Sequence, residues 1–259
     1  MQTLKIHKRN GTYRIVVAPS PEEKAKLRFY IPILQKVADA RCPTHVVHGF
    51  WPDRSPVTNA AYHCGYMYTV GFDLRNFFDT VTSDILDDVP MDYTIRSAIF
   101  IDGIARQGLP TSSVVANIAA AKMDHELENF SLHRRISYTR YADDLTFSMQ
   151  DSALIEEVKQ FVSSTVGKHR FALNDAKTHV QSAKAGRRMI TGVAVDHDIH
   201  PSRASKRRLR AALHNGHRLS ALGLAEWIKL KYPSTYINDE ERSRTRFADI
   251  IDFDEGKKP

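Results

Sequence analysis

Three carboxylates lie at the ends or in the middle of apolar segments. Asp73 closes the apolar segment 66–73, and Asp143 and Asp144 form a polar dipeptide within the β-branched and aromatic segment 136–148. A strand of this composition buries at least one face, and an unpaired carboxylate beside a core is costly unless a cation compensates it. Hard oxygen ligands on a rigid sheet suit Mg²⁺, and two such ions roughly 4 Å apart can clamp both oxygens of a phosphoryl transfer. The pattern therefore indicates a divalent-metal site for phosphoryl transfer.

Each acid taken singly also has a plainer interpretation. Asp-Asp is a common turn dipeptide, and Asp73 fits the cap at the end of a strand. We interpret the other acidic dipeptide, Asp87–Asp88, as a solvated loop. The metal interpretation therefore depends on the three acids being brought together by the fold.

The elements that would position these acids alternate between strands and helices. Asn10-Gly11 predicts a hairpin turn before a strand at 13–18, and Ser20-Pro21 predicts a helix from Ser20 to about residue 40 that Pro32 must kink or split. Residues 42–65 are predicted to be mostly loop. We predict strands at 66–73, at 136–148 (two, hinged at Asp143-Asp144), at 171–173 and at 189–195, and helices starting at Ser83 and covering 112–130, 152–169 and 201–222. This order predicts an α+β fold with mostly antiparallel strands.

Charge and composition restrict the partners. The chain has 259 residues, with 37 Lys and Arg against 30 Asp and Glu, a formal net charge of +7. The segment 176–225 holds ten basic residues but only two acids, Asp196 and Asp198, which suits a polyanionic partner as well as a solvated basic face. No apolar run is long enough to span a membrane, the first residues lack the apolar stretch of a signal peptide, and the only cysteines are Cys42 and Cys64. These features predict a cytoplasmic protein without a disulfide framework or a membrane partner.

Seven short motifs together resemble one family, the reverse transcriptases, and more narrowly the bacterial retron type. The motifs are NGTYRIVVAPS at 10–20, NAAYH at 59–63, FDLRNFFD at 72–79, QGLPTSSVVAN at 107–117, YADD at 141–144, NDAKT at 174–178 and ITG at 190–192. The resemblance covers nearly the whole chain. Two departures are Ser112-Ser113 in place of Ser-Pro, and Ile190 in place of Val in the last motif.

The resemblance implies a set of site residues. The catalytic residues would be Asp73, Asp143, Asp144 and Lys177, and two Mg²⁺ ions would be held by Asp73, Asp143, Asp144 and Leu74. Lys177 would approach the leaving pyrophosphate and Arg14 the triphosphate. The other nucleotide-binding residues would be Phe78, Gln107 and Gly108, and the ring of Phe78 would exclude a ribose 2′-hydroxyl, so that deoxynucleotides are selected.

The resemblance also implies contacts with RNA. Asn59, His63, Thr191 and Gly192 belong to the two motifs associated with recognition of the enzyme's own structured RNA, although they also fit loop hydrogen-bonders and a strand bulge. The basic segment contributes Arg203, Lys206, Arg207 and Arg210, which would grip the phosphates of an RNA–DNA hybrid. A solvated helix face is the alternative, but residues 199–225 contain no acid for i,i+4 pairing.

The implied fold is the right-hand polymerase fold, with fingers at 1–65, a palm at 66–185 into which fingers helices are inserted around 83–110, and the palm end with a short helical thumb at 186–259. The fingers motif begins close to Met1, so the RNA contacts of the N-terminal helices common in retron-type enzymes are expected to be lacking. Cys42, His45, His48 and Cys64 do not follow a known zinc-finger spacing, and we expect no metal there.

The implied function is RNA-directed DNA synthesis. The template would be a companion structured non-coding RNA, the primer a 2′-hydroxyl within it, the substrates dNTPs, and the product a small RNA-linked DNA that serves antiphage defence with an effector protein. Another bacterial reverse transcriptase, of the group II intron, diversity-generating or abortive-infection type, is one alternative. A non-catalytic RNA-binding scaffold is the other.

Overall fold

The fold is given by a computed structural model that describes residues 1–7, 11 and 13–228. The helices are α1 (Pro21–Arg41), α2 (Pro56–Ala61), α3 (Phe77–Thr80), α4 (Tyr93–Ile99), α5 (Ser112–His133), α6 (Leu154–Lys168), α7 (Arg203–His214) and α8 (Arg218–Ile228). The strands are β1 (Gln2–His7), β2 (Tyr13–Ala18), β3 (Tyr68–Asp73), β4 (Ser137–Tyr141), β5 (Asp144–Met149), β6 (His179–Ser182), β7 (Arg188–Ile190), β8 (Val193–Val195) and β9 (Ile199–Pro201). Asn10 of the predicted turn, and residues 229–259 of the predicted thumb, lie outside the described residues.

The strands form three antiparallel sheets. A hairpin joins β1 to β2, the central sheet has the order β4-β5-β3-β6, and a small sheet has the order β7-β8-β9. The hairpin and the mostly antiparallel strands confirm two predictions. Helix α5 packs on β4 of the central sheet, and α1 and α6 pack against α5, with apolar side chains such as Leu34, Met123 and Val162 completely buried in the shared core. This packing holds the sheet that carries the predicted acids.

Helix α1 begins where its capping residue predicts. Ser20 caps α1 by accepting a hydrogen bond from the Glu23 amide, and the Glu23 carboxylate accepts one from the Ser20 amide. Pro32 does not split α1, which runs unbroken from Pro21 to Arg41, so of the two predicted outcomes the break is wrong. Leu27 and Leu34, one on each side of the proline, are both buried, Leu27 in a small cluster with Val17 and Leu109 and Leu34 in the main core, so each half of the helix is held by packing.

Several predicted elements differ in the structure. The predicted loop 42–65 contains α2, which Ser55 caps in the same reciprocal way with Thr58. The predicted helix at Ser83 is only a single 3₁₀ turn, Ser83–Leu86. Residues 171–173 form no strand. Instead they pair with the residues after β3, since the Arg75 amide donates to the Ala172 carbonyl at 2.7 Å.

The C-terminal part of the described chain holds two further corrections. The predicted single strand 189–195 is the hairpin β7-β8, turned at Thr191 and Gly192, whose φ angles of +47° and +83° suit a tight two-residue turn. The predicted basic helix 201–222 is divided into α7 and α8 at Gly216, which has φ +68°. Among the described residues, every helix is too short or too polar to cross a bilayer.

Candidate active site

Main-chain pairing brings the three acids to one end of the central sheet. Asp73 at the end of β3 lies directly opposite Asp144 at the start of β5, so their side chains leave the same face of the sheet. The Leu74 amide donates to the Asp143 carbonyl at 2.8 Å, which ties the turn between β4 and β5 to the residue after Asp73. The structure thus gathers acids that are about seventy residues apart in sequence.

The segment before β6 supplies the partners of Asp73. Lys177 Nζ lies 2.5 Å from Asp73 Oδ2, and Asn174 Nδ2 donates to Asp73 Oδ1 at 3.2 Å. The Asn174 main-chain amide also donates to the Asp73 carbonyl at 2.8 Å, so both the main chain and the side chain of Asn174 hold Asp73. The Asp73 side chain is only 10% exposed, and the Lys177 ammonium supplies the positive charge that a buried carboxylate requires.

Burial and mutual repulsion dominate the electrostatics of the other two acids. Burial raises the pKa of Asp143, and the Asp73 charge adds to the effect. Burial together with the charges of Asp143 and Asp73 raises the pKa of Asp144 to about 6. The hydrogen bond from Lys177 to Asp73 raises the pKa of the ammonium group, with all three acids contributing. The fold therefore collects negative charge that only a cation can stabilise.

The predicted nucleotide-binding residues line the same cleft as the acids. The cleft is lined by Arg14, Phe78, Gln107 and Lys177 together with Asp73, Asp143, Leu74 and Asn174. Burial raises the pKa of Asp143, and the charge of Arg14 offsets a small part of this increase, so Arg14 acts on the acids across the cleft. Cationic side chains and carboxylates thus face one space, as binding of a metal-complexed polyphosphate requires.

Gly108 acts through the main chain instead of lining the cleft. It has φ +104°, and a Cβ there would lie 2.1 Å from the Val17 carbonyl oxygen. The Val17 amide donates to the Gln107 carbonyl at 2.8 Å, which clips β2 onto the turn at Gln107. Because Arg14 lies on β2, the close approach that glycine permits is what places Arg14 over the cleft.

The carboxylates of the cleft can supply part, but not all, of the ligands of a Mg²⁺ ion. Within the described part of the chain, no three His, Cys, Asp or Glu side chains are grouped so as to enclose a metal by themselves. Mg²⁺ is commonly held by one or two carboxylates, water and substrate phosphates, without an all-protein cage. Asp73 and Asp143, which share the cleft, provide such a partial set.

The NAAYH and ITG motifs pack against each other, and two of their residues face inward. Asn59 and His63 are completely buried. The His63 ring bonds Ser148 Oγ at 2.9 Å and Thr139 Oγ1 at 2.7 Å on the central sheet. These positions correct the expectation that Asn59 and His63 touch RNA directly, because neither side chain reaches the surface. Helix α2 buries them when it docks onto the two sheets.

The ITG turn fastens α2 to the small sheet. Thr191 Oγ1 donates to the Pro56 carbonyl at 3.0 Å, at the first turn of α2, and Gly192 is exposed. Thr191 and Gly192 are thus close to the surface, while Asn59 and His63 lie in the interior and help to hold α2, on which the turn rests.

The basic residues of α7 lie on its exposed side. Arg203, Arg207 and Arg210 recur at helical spacing and are exposed, whereas Leu209 and Ala212 of the same helix are buried against α8. Lys206 is half-buried. None of the three arginines forms a salt bridge with another described residue, so their charge faces solvent.

The cysteines and histidines of the segment 42–64 lie in separate environments. Cys42 is buried, and burial raises the pKa of its thiol to about 12. His48 bonds Thr58 Oγ1 at 2.8 Å inside the protein, whereas His45 is exposed beside Glu128. Cys64 is half-buried against the small sheet.

Sequence reasoning missed several contributors to the site. Asn174 was part of the NDAKT motif but had no assigned role, although it bonds Asp73. Phe50 lines the cleft and packs on Phe78, with ring centroids 5.8 Å apart. Gly49 was also missed, and a Cβ there would lie 1.9 Å from the Ala142 amide nitrogen. The signal for Phe50 was an aromatic residue in a loop rich in proline and glycine.

Solved structures identify the class of fold. An apo telomerase from Candida tropicalis, truncated from its C-terminal domain, superposes with a TM-score of 0.56 at 15% identity, over 78% of this chain and 54% of that one. A foamy viral protease–reverse transcriptase in complex with double-stranded DNA gives 0.53 at 14% identity, over 88% of this chain and 36% of that one. These likenesses show the right-hand polymerase fold, which confirms the predicted architecture.

Sequence relatives identify the family. The reverse transcriptase (RNA-dependent DNA polymerase) family profile matches residues 6–210. The retron Mx65 reverse transcriptase of Myxococcus xanthus is 31% identical, over 89% of this chain and 61% of the relative. The retron Ec83 reverse transcriptase of Escherichia coli is also 31% identical, over 79% of this chain and 71% of the relative. The chain belongs to the reverse transcriptase family and to its retron type.

The match does not extend over the full length of every relative. Besides the 61% of the Mx65 enzyme, the chain spans 65% of the retron Ec86 reverse transcriptase of Escherichia coli, to which it is 26% identical.

Proposed function

We propose that this protein is an RNA-directed DNA polymerase that copies a companion structured non-coding RNA. The substrates are dNTPs, the primer is a 2′-hydroxyl of the same RNA, and the product is a small DNA joined to RNA. The observation that carries the proposal is the single cleft that Asp73 and Asp143 share with Arg14 and Lys177. Acids that attract metal and cations that attract phosphate have no reason to converge in a scaffold that only binds RNA.

Each side of the cleft has a part in the reaction. Two Mg²⁺ ions, when bound by Asp73, Asp143 and the main chain of Leu74, with Asp144 in support, would activate the primer hydroxyl and neutralise the triphosphate. Arg14 holds the triphosphate through a charged fork. Lys177, 2.5 Å from Asp73, stands where it can stabilise or protonate the leaving pyrophosphate. Gln107 borders the nucleotide, and Gly108 keeps β2 in place above it.

RNA and the growing hybrid contact two further surfaces. One surface is on α7, where the basic side chains bind the phosphates of the hybrid: Arg203, Lys206, Arg207 and Arg210. The exposure of the three arginines supports this assignment. Thr191 and Gly192 face the companion RNA, with Asn59 and His63 as buried supports. In this proposal residues 1–65 are the fingers, 66–185 the palm and 186–259 the palm end and thumb.

The resemblance to retron-type enzymes also leads us to propose that the RNA-linked DNA acts with an effector protein in antiphage defence. The names of the relatives support the retron type on which this proposal rests. A transcribed companion RNA encoded beside the gene would separate this retron function from that of an intron-derived, diversity-generating or abortive-infection enzyme.

Purification and primer extension test the proposal together. The protein purified from its native host should carry one structured RNA, partly converted to covalently linked DNA, which sequencing of the bound nucleic acid detects. It should extend a primer on RNA with dNTPs and Mg²⁺, and lose the activity when EDTA is added. Binding of RNA without any Mg²⁺-dependent incorporation would favour the scaffold alternative.

Substitution of Phe78 should relax sugar selection. The Phe78 ring lines the cleft and is backed by Phe50 and Phe77, with centroids 5.8 Å away in both cases. Phe78→Ala removes the bulk that would meet a ribose 2′-hydroxyl. We expect the preference for dNTP over rNTP, measured as the ratio of kcat/KM, to fall about a hundredfold, or about 2.7 kcal/mol of discrimination.

The matched control is Phe29→Ala, because Phe29 is 72% exposed on α1. It should leave the preference unchanged. If Phe78→Ala kept the wild-type ratio, the residue that excludes ribonucleotides would have to lie elsewhere in the cleft.

A further inference from the structure

A network of fully buried polar side chains lies beneath the turn that carries Asp143. Arg140 and Asp124 are both 0% exposed and form a forked ion pair, with Arg140 Nε 2.8 Å from Asp124 Oδ1 and Nη2 2.7 Å from Oδ2. Tyr138 Oη donates to Asp124 Oδ1 at 2.8 Å. The network joins α5, which carries Asp124, to β4, which carries the other two.

The second arm of the Arg140 fork points to the turn. Arg140 Nη1 donates to the Ala142 carbonyl at 3.1 Å and to Asn117 Oδ1, also at 3.1 Å. Asn117 is itself buried, and its Nδ2 donates to the Gly49 carbonyl at 3.1 Å. Two adjoining segments that contribute Phe50 and Asp143 to the lining of the cleft, 49–50 and 142–143, are therefore held by one arginine and one asparagine.

The turn needs this support because its backbone is strained. Ala142 has φ +57°, a conformation that a residue with a Cβ adopts at a cost. Such residues persist only where their surroundings fix them. Here the Ala142 carbonyl is held by Arg140 from inside, while Gly49 packs so closely from the other side that a Cβ would meet the Ala142 nitrogen at 1.9 Å. The direction of the next residue, Asp143, follows from the direction of this peptide.

We propose that Arg140, oriented by Asp124 and Asn117, is a positioning residue that fixes the strained Ala142 peptide and thereby aims the Asp143 carboxylate at the metal site. The inference rests on the proposed polymerase function. Arg140 touches neither substrate nor metal. Its effect is on how well the acids of the cleft are arranged before a metal arrives.

Deleting one member of the ion pair is a poor test, because it leaves the other charge buried and unpaired and destabilises the whole fold. A triple variant, Asp124→Leu/Tyr138→Phe/Arg140→Met, replaces the network by apolar groups of similar size, an exchange that is often neutral for stability. Asn117→Ala instead keeps the ion pair and removes the two side-chain hydrogen bonds of Asn117, one to the Gly49 carbonyl and one from Arg140 Nη1. Ser131→Ala is the matched control: this buried hydroxyl on α5 bonds only the Leu127 carbonyl, at 2.7 Å.

The measurements are Mn²⁺ affinity of the free protein by electron paramagnetic resonance, the single-turnover rate of incorporation, the KM for dNTP and the melting temperature. For Asn117→Ala we expect a rate about tenfold lower, or about 1.4 kcal/mol, with Mn²⁺ binding weakened several-fold and KM for dNTP unchanged. The triple variant should fold, yet lose about a hundredfold in rate and show the same weakened Mn²⁺ binding. Ser131→Ala should change the melting temperature alone.

A triple variant that folds and keeps the wild-type rate and Mn²⁺ affinity would overturn the inference, since the network would then be an exchangeable part of the core. If that variant does not fold, Asn117→Ala decides: a lower melting temperature with unchanged Mn²⁺ affinity and rate would also overturn it. Both outcomes leave the proposed function standing. Absence of Mg²⁺-dependent synthesis by the unmodified protein would instead contradict the proposed function, and the inference with it.

Discussion

Asp143→Asn abolishes DNA synthesis while leaving RNA binding intact, if the proposed two-metal site is correct. Asparagine has nearly the same shape as aspartate but no charge, so it no longer attracts Mg²⁺. The turn should keep its position, because the Asp143 carbonyl that accepts from the Leu74 amide belongs to the main chain. We expect incorporation of dNTP to fall at least about a thousandfold, or about 4 kcal/mol of transition-state stabilisation.

The measurement is primer extension on RNA, with RNA affinity determined in parallel by filter binding. Asp53→Asn is the matched control, because Asp53 is exposed in a loop and its φ of +58° is readily adopted by asparagine. It should change neither quantity. Retained synthesis in Asp143→Asn would remove the two-metal proposal, and loss of RNA binding would mean that the substitution disturbs the fold.

Acid should unfold this protein through two buried histidines. Burial lowers the pKa of both His48 and His63 from 6.5 to about 3. In the unfolded chain the same rings accept a proton near their ordinary pKa, so between these values the unfolded state binds more protons than the folded state. The contribution of each histidine to stability is therefore complete above about pH 6.5 and decreases as the pH falls, by up to about 1.4 kcal/mol per pH unit. The raised pKa of Asp144, about 6, acts in the opposite direction below that pH.

His63→Gln isolates one of the two contributions. Glutamine keeps one hydrogen bond to the Ser148 or Thr139 hydroxyl and cannot be protonated, so the free energy of unfolding should be lower at pH 7. Its slope against pH between about pH 6 and 4 should be smaller than that of the wild type by about 1.4 kcal/mol per pH unit. Urea unfolding at a series of pH values measures this slope. His214→Gln, at an exposed position of α7, should keep the wild-type slope. An unchanged slope in His63→Gln would show that this ring is not held neutral in the core.

The convergence of the acids could be predicted because the motifs that carry them resemble those of the reverse transcriptases. A hairpin with a polar dipeptide at its tip fixes where Asp143 and Asp144 lie, and antiparallel pairing of two apolar strands brings Asp73 to the same end. The register that places Asp73 opposite Asp144 could not be predicted, since it depends on the packing of the whole sheet. The start of α1 also followed a local rule, because Ser20 caps it, whereas Ser83 opens only a 3₁₀ turn.

Contacts between distant segments could not be predicted. From the sequence, His63 was equally suited to RNA contact and to internal hydrogen bonding. Its burial depends on the docking of α2, which places the His63 ring against Thr139 and Ser148, more than seventy positions further along the chain. The Asp124–Arg140 pair is similar. A charged residue in each of two apolar elements indicates a buried pair, but the partner is known only once α5 is seen to cross β4.

Main-chain hydrogen bonds link the end of β3 to the neighbouring segments: the Leu74 amide donates to the Asp143 carbonyl, and the Asp73 carbonyl accepts from the Asn174 amide in the segment that carries Lys177. The scaffold of the cleft is therefore independent of the side chains that would do the chemistry. An inactive variant such as Asp143→Asn should consequently arrest the protein on its RNA with primer and incoming nucleotide in register. That makes it the natural sample for cryo-electron microscopy of the assembled complex before the first bond forms.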